Sequence, residues 1–470
     1  MRPVVTQAGD SEVDINKLVE KIQSFTSENA FDFNIITKSD LTYEFSVQYD
    51  VNDRQFSSYV DNDTTNNPDI VSGSNVKYLP YDAWDKHTRT VKMVVDNESQ
   101  LISRQTKEYI KIPFGNSLAG LVTARLVNAE NNLVISRVGF FDNEVYANEL
   151  TASNSTYNTG QGVYIGYNGA GGSNTLFIGI RSLSASNDLE FYSCDWNLDS
   201  MDGNGISREV LHPNDMNTFA FIFGNINGAS MRIGLYKNGK MHMFHELDSS
   251  TLFDYDCSLP IRMEIETLSG YSSDSYYMEH KNASVYSVEK NTEKPLVVSY
   301  QHTEDVTSVD SDSECVIASL RLSKNFIRSK IRIVGLEIKC ESSVVGLNWI
   351  LAINPHWSGH CSDEHYDYID KSDSDFMRHS IAEFGRGPFT SDSDLLSDSQ
   401  GYRHQDYIIA SGTCTTDNTI VELNDNNHHY LLADMHGHPD VARVFLTTNT
   451  HEDPKFPSNT HCILTWEEYI

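Results

Sequence analysis

The most concentrated set of oxygen-bearing side chains is Asp195-Trp196-Asn197-Leu198-Asp199-Ser200-Met201-Asp202-Gly203-Asn204-Gly205. Asp195, Asn197 and Asp199 alternate, so their oxygens could converge on a hard cation such as calcium, as in the first half of an EF-hand loop. The pattern then departs: the sixth position is Ser200 where a glycine is needed, and the twelfth is Ile206 where a bidentate glutamate is needed. The simpler expectation is a structural turn. Trp196 would pack in the core, Asp202-Gly203 and Asn204-Gly205 would reverse the chain, and Asp199 would tolerate replacement.

Histidines gather late, with 11 of the 17 falling from His356 to His461. His356, His360, Cys361 and His365, and again His428, His429, His436 and His438, have spacings that could hold zinc. As loop residues among carboxylates they would instead only gain basicity. Met241 to His245 alternates like a strand, which would send His242 and His245 to opposite sides and away from a shared metal. Catalytic grammar is missing: there is no GxSxG, Walker loop, GxGxxG or HExxH. Carboxylates are plentiful, but no spacing selects a glycosidase pair. The expectation is therefore no catalytic residues and no cofactor, with Trp357 and Tyr366 to Tyr368 as candidate stacking surfaces for a sugar. Sequons at Asn62, Asn97, Asn154 and Asn282 read as chance.

The elements that must position these residues are nearly all strands. Tyr43 to Tyr49 alternates strictly, and short apolar runs recur at Leu121 to Leu126, Leu133 to Phe141, Gly162 to Ile165, Leu176 to Ile180, Phe219 to Phe223 and Arg232 to Tyr236. Asn238-Gly239 is the preferred pair for a two-residue type I′ hairpin. One short helix is expected from Ile15, Leu18, Val19 and Ile22 behind Ser11. The fold class is mainly β: tandem jelly-roll-like β-sandwiches with a short N-terminal helix. The expected division is 1–85 (helix and connector), 86–290 (first sandwich) and 291–470 (second sandwich), with an acidic, His-rich insertion near 358–405 projecting to solvent.

The 470 residues carry 35 Lys plus Arg against 66 Asp plus Glu, a net charge of −31. That repels phosphate backbones and argues against nucleic acid as a partner. No run of 18 apolar residues suggests a membrane span. Seven cysteines are scattered without a CxxC pair, and the first residues lack a secretory pattern, so folding in a reducing cytoplasm is expected.

Several strings, taken in order, resemble a family of virion structural proteins from tailed phages and large DNA viruses of aquatic microbes. They are Arg104-Gln105-Thr106-Lys107-Glu108-Tyr109 with PFGNS, Arg137-Val138-Gly139-Phe140-Phe141-Asp142, the DWNLDSMDGNG string, HMFH, and Leu259-Pro260-Ile261-Arg262-Met263-Glu264-Ile265. SLRLSKNFIRSKIRI, Asn354-Pro355 and a terminal LTWEE continue the series. The resemblance implies a non-enzymatic capsid, vertex, fibre or tail component. Such a protein would be made in the host cytoplasm and located in the virion, joining other virion proteins as a homo-oligomer, by the habit of such proteins a trimer. The alternative is a receptor- or glycan-binding adhesin on the virion surface that contacts a host glycan. Less favoured is a polysaccharide depolymerase or a metal hydrolase using the late histidines.

Overall fold

A computed structural model describes residues 40–47, 55–61, 83–112, 118–128, 133–142, 160–169, 175–181, 188–224, 230–248, 258–271 and 275–287. It further describes 296–304, 314–323, 326, 329–340, 347–353, 366–368, 380, 382–390, 407–413, 419–423, 430–433, 439–448 and 460–469. The expected N-terminal helix, Trp357, both late histidine groups and the sequons at Asn62 and Asn154 lie outside these residues.

The chain opens with β1 (Asp40–Ser46), β2 (Phe56–Asp61), β3 (Trp84–Asp85), β4 (Thr90–Val95), β5 (Leu101–Thr106) and β6 (Ile110–Lys111). Next come β7 (Leu118–Arg125), β8 (Val134–Phe141), β9 (Gly162–Asn168), β10 (Thr175–Arg181), β11 (Leu189–Tyr192) and β12 (Asn217–Gly224). The first group ends with β13 (Ser230–Lys237), β14 (Lys240–Asp248), β15 (Ser258–Leu259), β16 (Ile261–Thr267) and β17 (Tyr276–Ser287). The second group has β18 (Leu296–Glu304), β19 (Glu314–Leu322), β20 (Lys330–Cys340), β21 (Leu347–Ile353), β22 (Tyr366–Tyr368) and β23 (Ala382–Thr390). It closes with β24 (Tyr407–Thr413), β25 (Thr419–Glu422), β26 (Tyr430–Leu431), β27 (Val441–Thr448) and β28 (Thr460–Tyr469).

Two antiparallel sheets make the first sandwich. An eight-stranded sheet runs β14-β13-β12-β7-β17-β4-β3, with β1 also on β17, and a seven-stranded sheet runs β11-β10-β9-β8-β16-β5-β2. Successive strands cross between sheets at β4/β5, β7/β8 and β16/β17, while β8 to β11 and β12 to β14 meander within one sheet, a jelly-roll-like winding. Alternation supplies one apolar row per strand. Val122, Phe219 and Phe221 from one sheet meet Val138, Phe140 and Ile165 from the other in a single core. Phe140 packs edge-on against Phe221 and Phe223, at 5.5 and 5.3 Å between ring centroids. The β13–β14 hairpin turns at Asn238 and Gly239, both at positive φ (54° and 78°), as type I′ requires.

The second sandwich pairs a five-stranded sheet (β18-β28-β20-β25, with β26 on β20) with a six-stranded sheet (β22-β23-β19-β27-β21-β24) around its own core. β28 alternates perfectly, burying Cys462, Leu464 and Trp466. Burial in apolar surroundings pushes the Cys462 thiol up to about 12, so it behaves as a small hydrophobe.

The region expected to be an acidic insertion, 358–405, contributes part of this sandwich. β23 pairs with β19, and Ala382 and Phe384 enter the core. Gly387 and Pro388 lie within this strand. They fall opposite the single residue Ile317 at a register shift, where proline's missing N–H is tolerated.

The sandwiches meet through charge. The turn after β5 supplies Glu108, 2.5 Å from Lys330 at the start of β20, and Lys107, 3.7 Å from Asp440. Tyr43, Tyr430 and Tyr469 surround the Lys330 ammonium at 4.9, 4.5 and 5.3 Å from their ring centroids. Burial works against the Lys330 charge, yet Glu108 and the tyrosines outweigh it and the pKa rises.

Candidate functional site

The Asp195 to Gly205 segment is a strap. Trp196 stacks on Phe244 of β14 at 4.3 Å and donates its indole N–H to the Phe191 carbonyl of β11, linking the edge strands of the two facing sheets. Asn197 imitates a strand residue. Its side-chain amide both donates to the Glu246 carbonyl (2.8 Å) and accepts from the Glu246 N–H (2.8 Å). Leu198 and Asp199 donate backbone N–H groups to the Phe244 carbonyl. The strap therefore occupies the open edge of β14, which would otherwise invite pairing with another chain.

Asp199 is buried, and each carboxylate oxygen accepts one backbone amide: Met201 at 2.8 Å and Ser207 at 2.7 Å. Gly205 packs so tightly on this carboxylate that any Cβ there would overlap it. Asn197 Oδ1 and both Asp199 carboxylate oxygens thus serve as acceptors for backbone amides. Among the described residues no group of three or more His, Cys, Asp or Glu could hold a metal ion. The expectation that Asp199 tolerates replacement is corrected: it closes the turn from inside.

The histidines of β14 also differ from expectation. His245 lies opposite Ile233 and His242 opposite Leu235, with Phe244 as the extra residue of a bulge. The bulge reverses the alternation, so both histidines take the same side. His245 accepts the Asn197 N–H on Nδ1 at 3.2 Å, and burial holds its pKa below the usual histidine value. Tyr366 to Tyr368 form β22 at the edge of the six-stranded sheet, paired with β23.

The outer faces of the first sandwich carry polar groupings that no local motif announced. On the seven-stranded sheet, Arg262 Nε bonds Glu264 Oε1 at 2.6 Å, and its other nitrogens reach Gln105 (2.7 Å) and Ser103 (3.2 Å). Arg137 spans Glu264 (3.7 Å) and Glu266 (2.8 Å) on the same strand, and Arg181 meets Asp188 at 3.3 Å. Tyr164 donates to Asp188 at 2.6 Å. Glycines at 166 and 179 leave room for the Phe177 and Tyr164 rings to lie against the sheet. The centre of the network is sealed, with Arg262 and Glu264 0% exposed, while Arg137 and Glu266 at its rim keep 14% and 13% of their side chains exposed. Burial raises the Glu264 pKa, but Arg262, Arg181 and Arg137 together more than reverse this and hold it low.

On the eight-stranded sheet one half of the outer face is covered, with Ala119, Ala220 and Ile222 buried, and the other half is partly open, with 31%, 30% and 24% of the Lys92, Arg125 and Asp85 side chains exposed. A band of polar and aromatic side chains crosses the open half: Tyr236, Thr218, Thr123, Arg125, Glu279, Lys92 and Asp85, from β13, β12, β7, β17, β4 and β3. Thr123 and Thr218 share a hydrogen bond of 3.0 Å. Arg125 Nη1 lies 3.0 Å from Glu279 Oε2, and Lys92 Nζ lies 3.7 Å from Glu279 Oε1 and 3.2 Å from Asp85 Oδ2. Thr90 donates to Glu279 at 3.4 Å, and Lys92 stands 5.3 Å from the Tyr277 ring centroid. The His87 amide, assisted by Lys92 and the Thr88 amide, holds the Asp85 carboxyl at about 2. Neighbouring strands about 4.8 Å apart give the band a span of about 24 Å.

Among the described residues every carboxyl whose pKa is displaced (Asp85, Asp202, Glu209 and Glu264) is displaced downward. Strand alternation marks Thr123 and Arg125 as outward, but their assembly with Glu279 and Lys92 comes from registers between strands up to about 190 residues apart.

No family model and no curated protein matches this chain. Solved structures similar to part of this chain include a legume lectin-like domain from Entamoeba histolytica, at 11% identity over 50% of this chain and 90% of that one, TM-score 0.29. An endo-1,3-beta-glucanase from Streptomyces sioyaensis is similar at 7% identity over 53% and 97%, TM-score 0.35. Lectin I-B4 from Griffonia simplicifolia is similar at 10% identity over 52% and 99%, TM-score 0.30.

Proposed function

We propose that this chain is a non-enzymatic adhesin that binds carbohydrate on the open half of the eight-stranded sheet, in the setting of a virion surface. The observation that carries the binding reading is the band from Tyr236 to Asp85. It sets hydroxyls, carboxylates, a guanidinium, an ammonium and tyrosyl rings on one rigid sheet face, with the charged groups already paired in position. Sugars are recognised by such fixed donors and acceptors beside aromatic surface, and a scaffold of strands keeps the ordering penalty low. The virion setting rests on the ordered motifs. Three of them coincide with positioning elements: RVGFFD covers most of β8 and its exit, DWNLDSMDGNG is the strap, and LPIRMEI enters β16.

The test is binding of purified protein to a glycan array and to insoluble polysaccharides, with reducing ends measured in parallel. Retention that is lost in Arg125→Gln and kept in Arg332→Gln, a partly exposed arginine of β20 paired with Glu467 in the second sandwich, is expected. Release of reducing ends from a bound polymer would overturn the non-enzymatic reading. Retention unaffected by Arg125→Gln would remove this face from the site. Assigning the chain to the particle requires its presence, by mass spectrometry, in purified virions.

A further inference from the structure

We infer that the carbohydrate taken by this face is uncharged, and that Glu279 excludes acidic polymers. The inference rests on the glycan-binding reading and names its ligand class. The charged part of the band is two cations, Arg125 and Lys92, against two anions, Glu279 and Asp85, so its sum is zero. Glu279 sits between both cations and is only 3% exposed. It is held by Arg125 at 3.0 Å, Lys92 at 3.7 Å and the Thr90 hydroxyl at 3.4 Å, and cannot swing aside for an incoming anion.

A sulfate or carboxylate approaching Arg125 or Lys92 would therefore meet a fixed like charge one contact away. The neighbouring cation on this face is also spent, since Arg232 is 3.1 Å from Glu246. The rest of the band (Tyr236, Thr218, Thr123 and Tyr277) is neutral, and the chain as a whole carries −31. Arg125, Lys92 and Arg232 thus each already face a carboxylate. A sugar diol, in contrast, can donate to Asp85 and accept from Lys92 or Arg125 at once, using both signs of charge without disturbing their pairing.

The test compares retention of the full chain on an uncharged β-glucan, an uncharged mannan, a sulfated galactan and a polyuronate, in NaCl from 50 to 500 mM. The wild type should bind at least one uncharged polymer, with affinity changing by less than about twofold across the salt series, because no net charge is neutralised on binding. Glu279→Gln leaves the cluster at +1. It should weaken the uncharged polymer by about tenfold through loss of a charged acceptor, and should gain salt-sensitive retention on the sulfated polymer. Arg125→Gln, at −1, should weaken the uncharged polymer and gain nothing; it serves as the second variant if Glu279→Gln does not show a wild-type circular dichroism spectrum. Salt-sensitive binding of the wild type to the sulfated or uronate polymer would overturn this inference and leave the glycan-binding reading standing. Binding to none of the four, with no hit on the array, would defeat that reading and this inference with it.

Discussion

The two outer faces of the first sandwich are built from the same residue types on the same period and come to opposite ends. On the seven-stranded sheet, Arg262 and Glu264 are locked together out of water beside Tyr164 and Phe141, with Arg137 and Glu266 pairing at the rim. On the eight-stranded sheet, Arg125 and Lys92 keep 30% and 31% of their side chains exposed while pairing with Glu279. A buried ion pair is costly to break because its survivor stays desolvated; on the open face the cations can rehydrate, and Glu279, buried itself, keeps a second cation and the Thr90 hydroxyl when one cation is lost. The contrast teaches that alternating Arg and Glu on a strand does not by itself distinguish a structural network from a recognition surface. What covers the face decides.

The largest expected effect is therefore on the sealed face. Glu264→Ala should cost about 3–5 kcal/mol, by stranding the buried Arg262 without its carboxylate and leaving Arg137 only Glu266. The urea midpoint should fall with an unchanged slope. A loss below about 1 kcal/mol would show that this network is hydrated and end the comparison. Trp196→Ala, which opens the strap between the sheet edges, should also cost about 3–5 kcal/mol, read from the same transition. Asp199→Ala should cost less, about 1–3 kcal/mol for two backbone amides left without their acceptor. It should not make the melting temperature calcium-dependent. A calcium-induced rise in the wild type that vanishes in Asp199→Ala would instead restore the metal loop.

Between the two faces lies a buried pair that should report on acid. His280 Nε2 accepts Arg104 Nε–H at 2.9 Å; burial, then the Arg104 cation, hold its pKa well below the ordinary histidine value. In the unfolded chain it titrates near 6.5. The unfolded state therefore takes up a proton first, and the stabilisation present above about pH 6.5 declines as pH falls below it. His245 is displaced in the same direction and should add to the decline. His280→Gln, which keeps an acceptor for Arg104, should flatten the fall in melting temperature between pH 7 and 5; an unchanged slope would assign that fall to other groups. The smallest stability effect belongs to the open face. Arg125→Gln should stay within about 1 kcal/mol of wild type while its effect on polysaccharide retention is large. Destabilisation comparable to Glu264→Ala would mean the two faces do the same job.

Much of the architecture follows from local order. Period-two alternation in Phe219 to Phe223 and in Cys462 to Trp466, and the Asn238-Gly239 turn, specify strands and a hairpin through sterics and burial that act within a few residues. The same locality explains where reading along the chain failed. The 358–405 segment suggested an acidic insertion, yet β23 crosses it, with Gly387 and Pro388 in a bulge opposite Ile317 where the register with β19 shifts. His242 and His245 appeared to diverge until the bulge at Phe244 turned them to one side. Asp199 looked dispensable until the turn folded Met201 and Ser207 onto it. The candidate site was the least legible part. Thr123, Thr218, Arg125, Glu279 and Lys92 are unremarkable outward residues one strand at a time, and only cross-strand registers make them neighbours. Alternation determines which residues leave the core, because that depends on the pleat alone. Whether they meet water, a ligand or another layer of the chain is a property of the assembled sheets, set by contacts hundreds of residues apart.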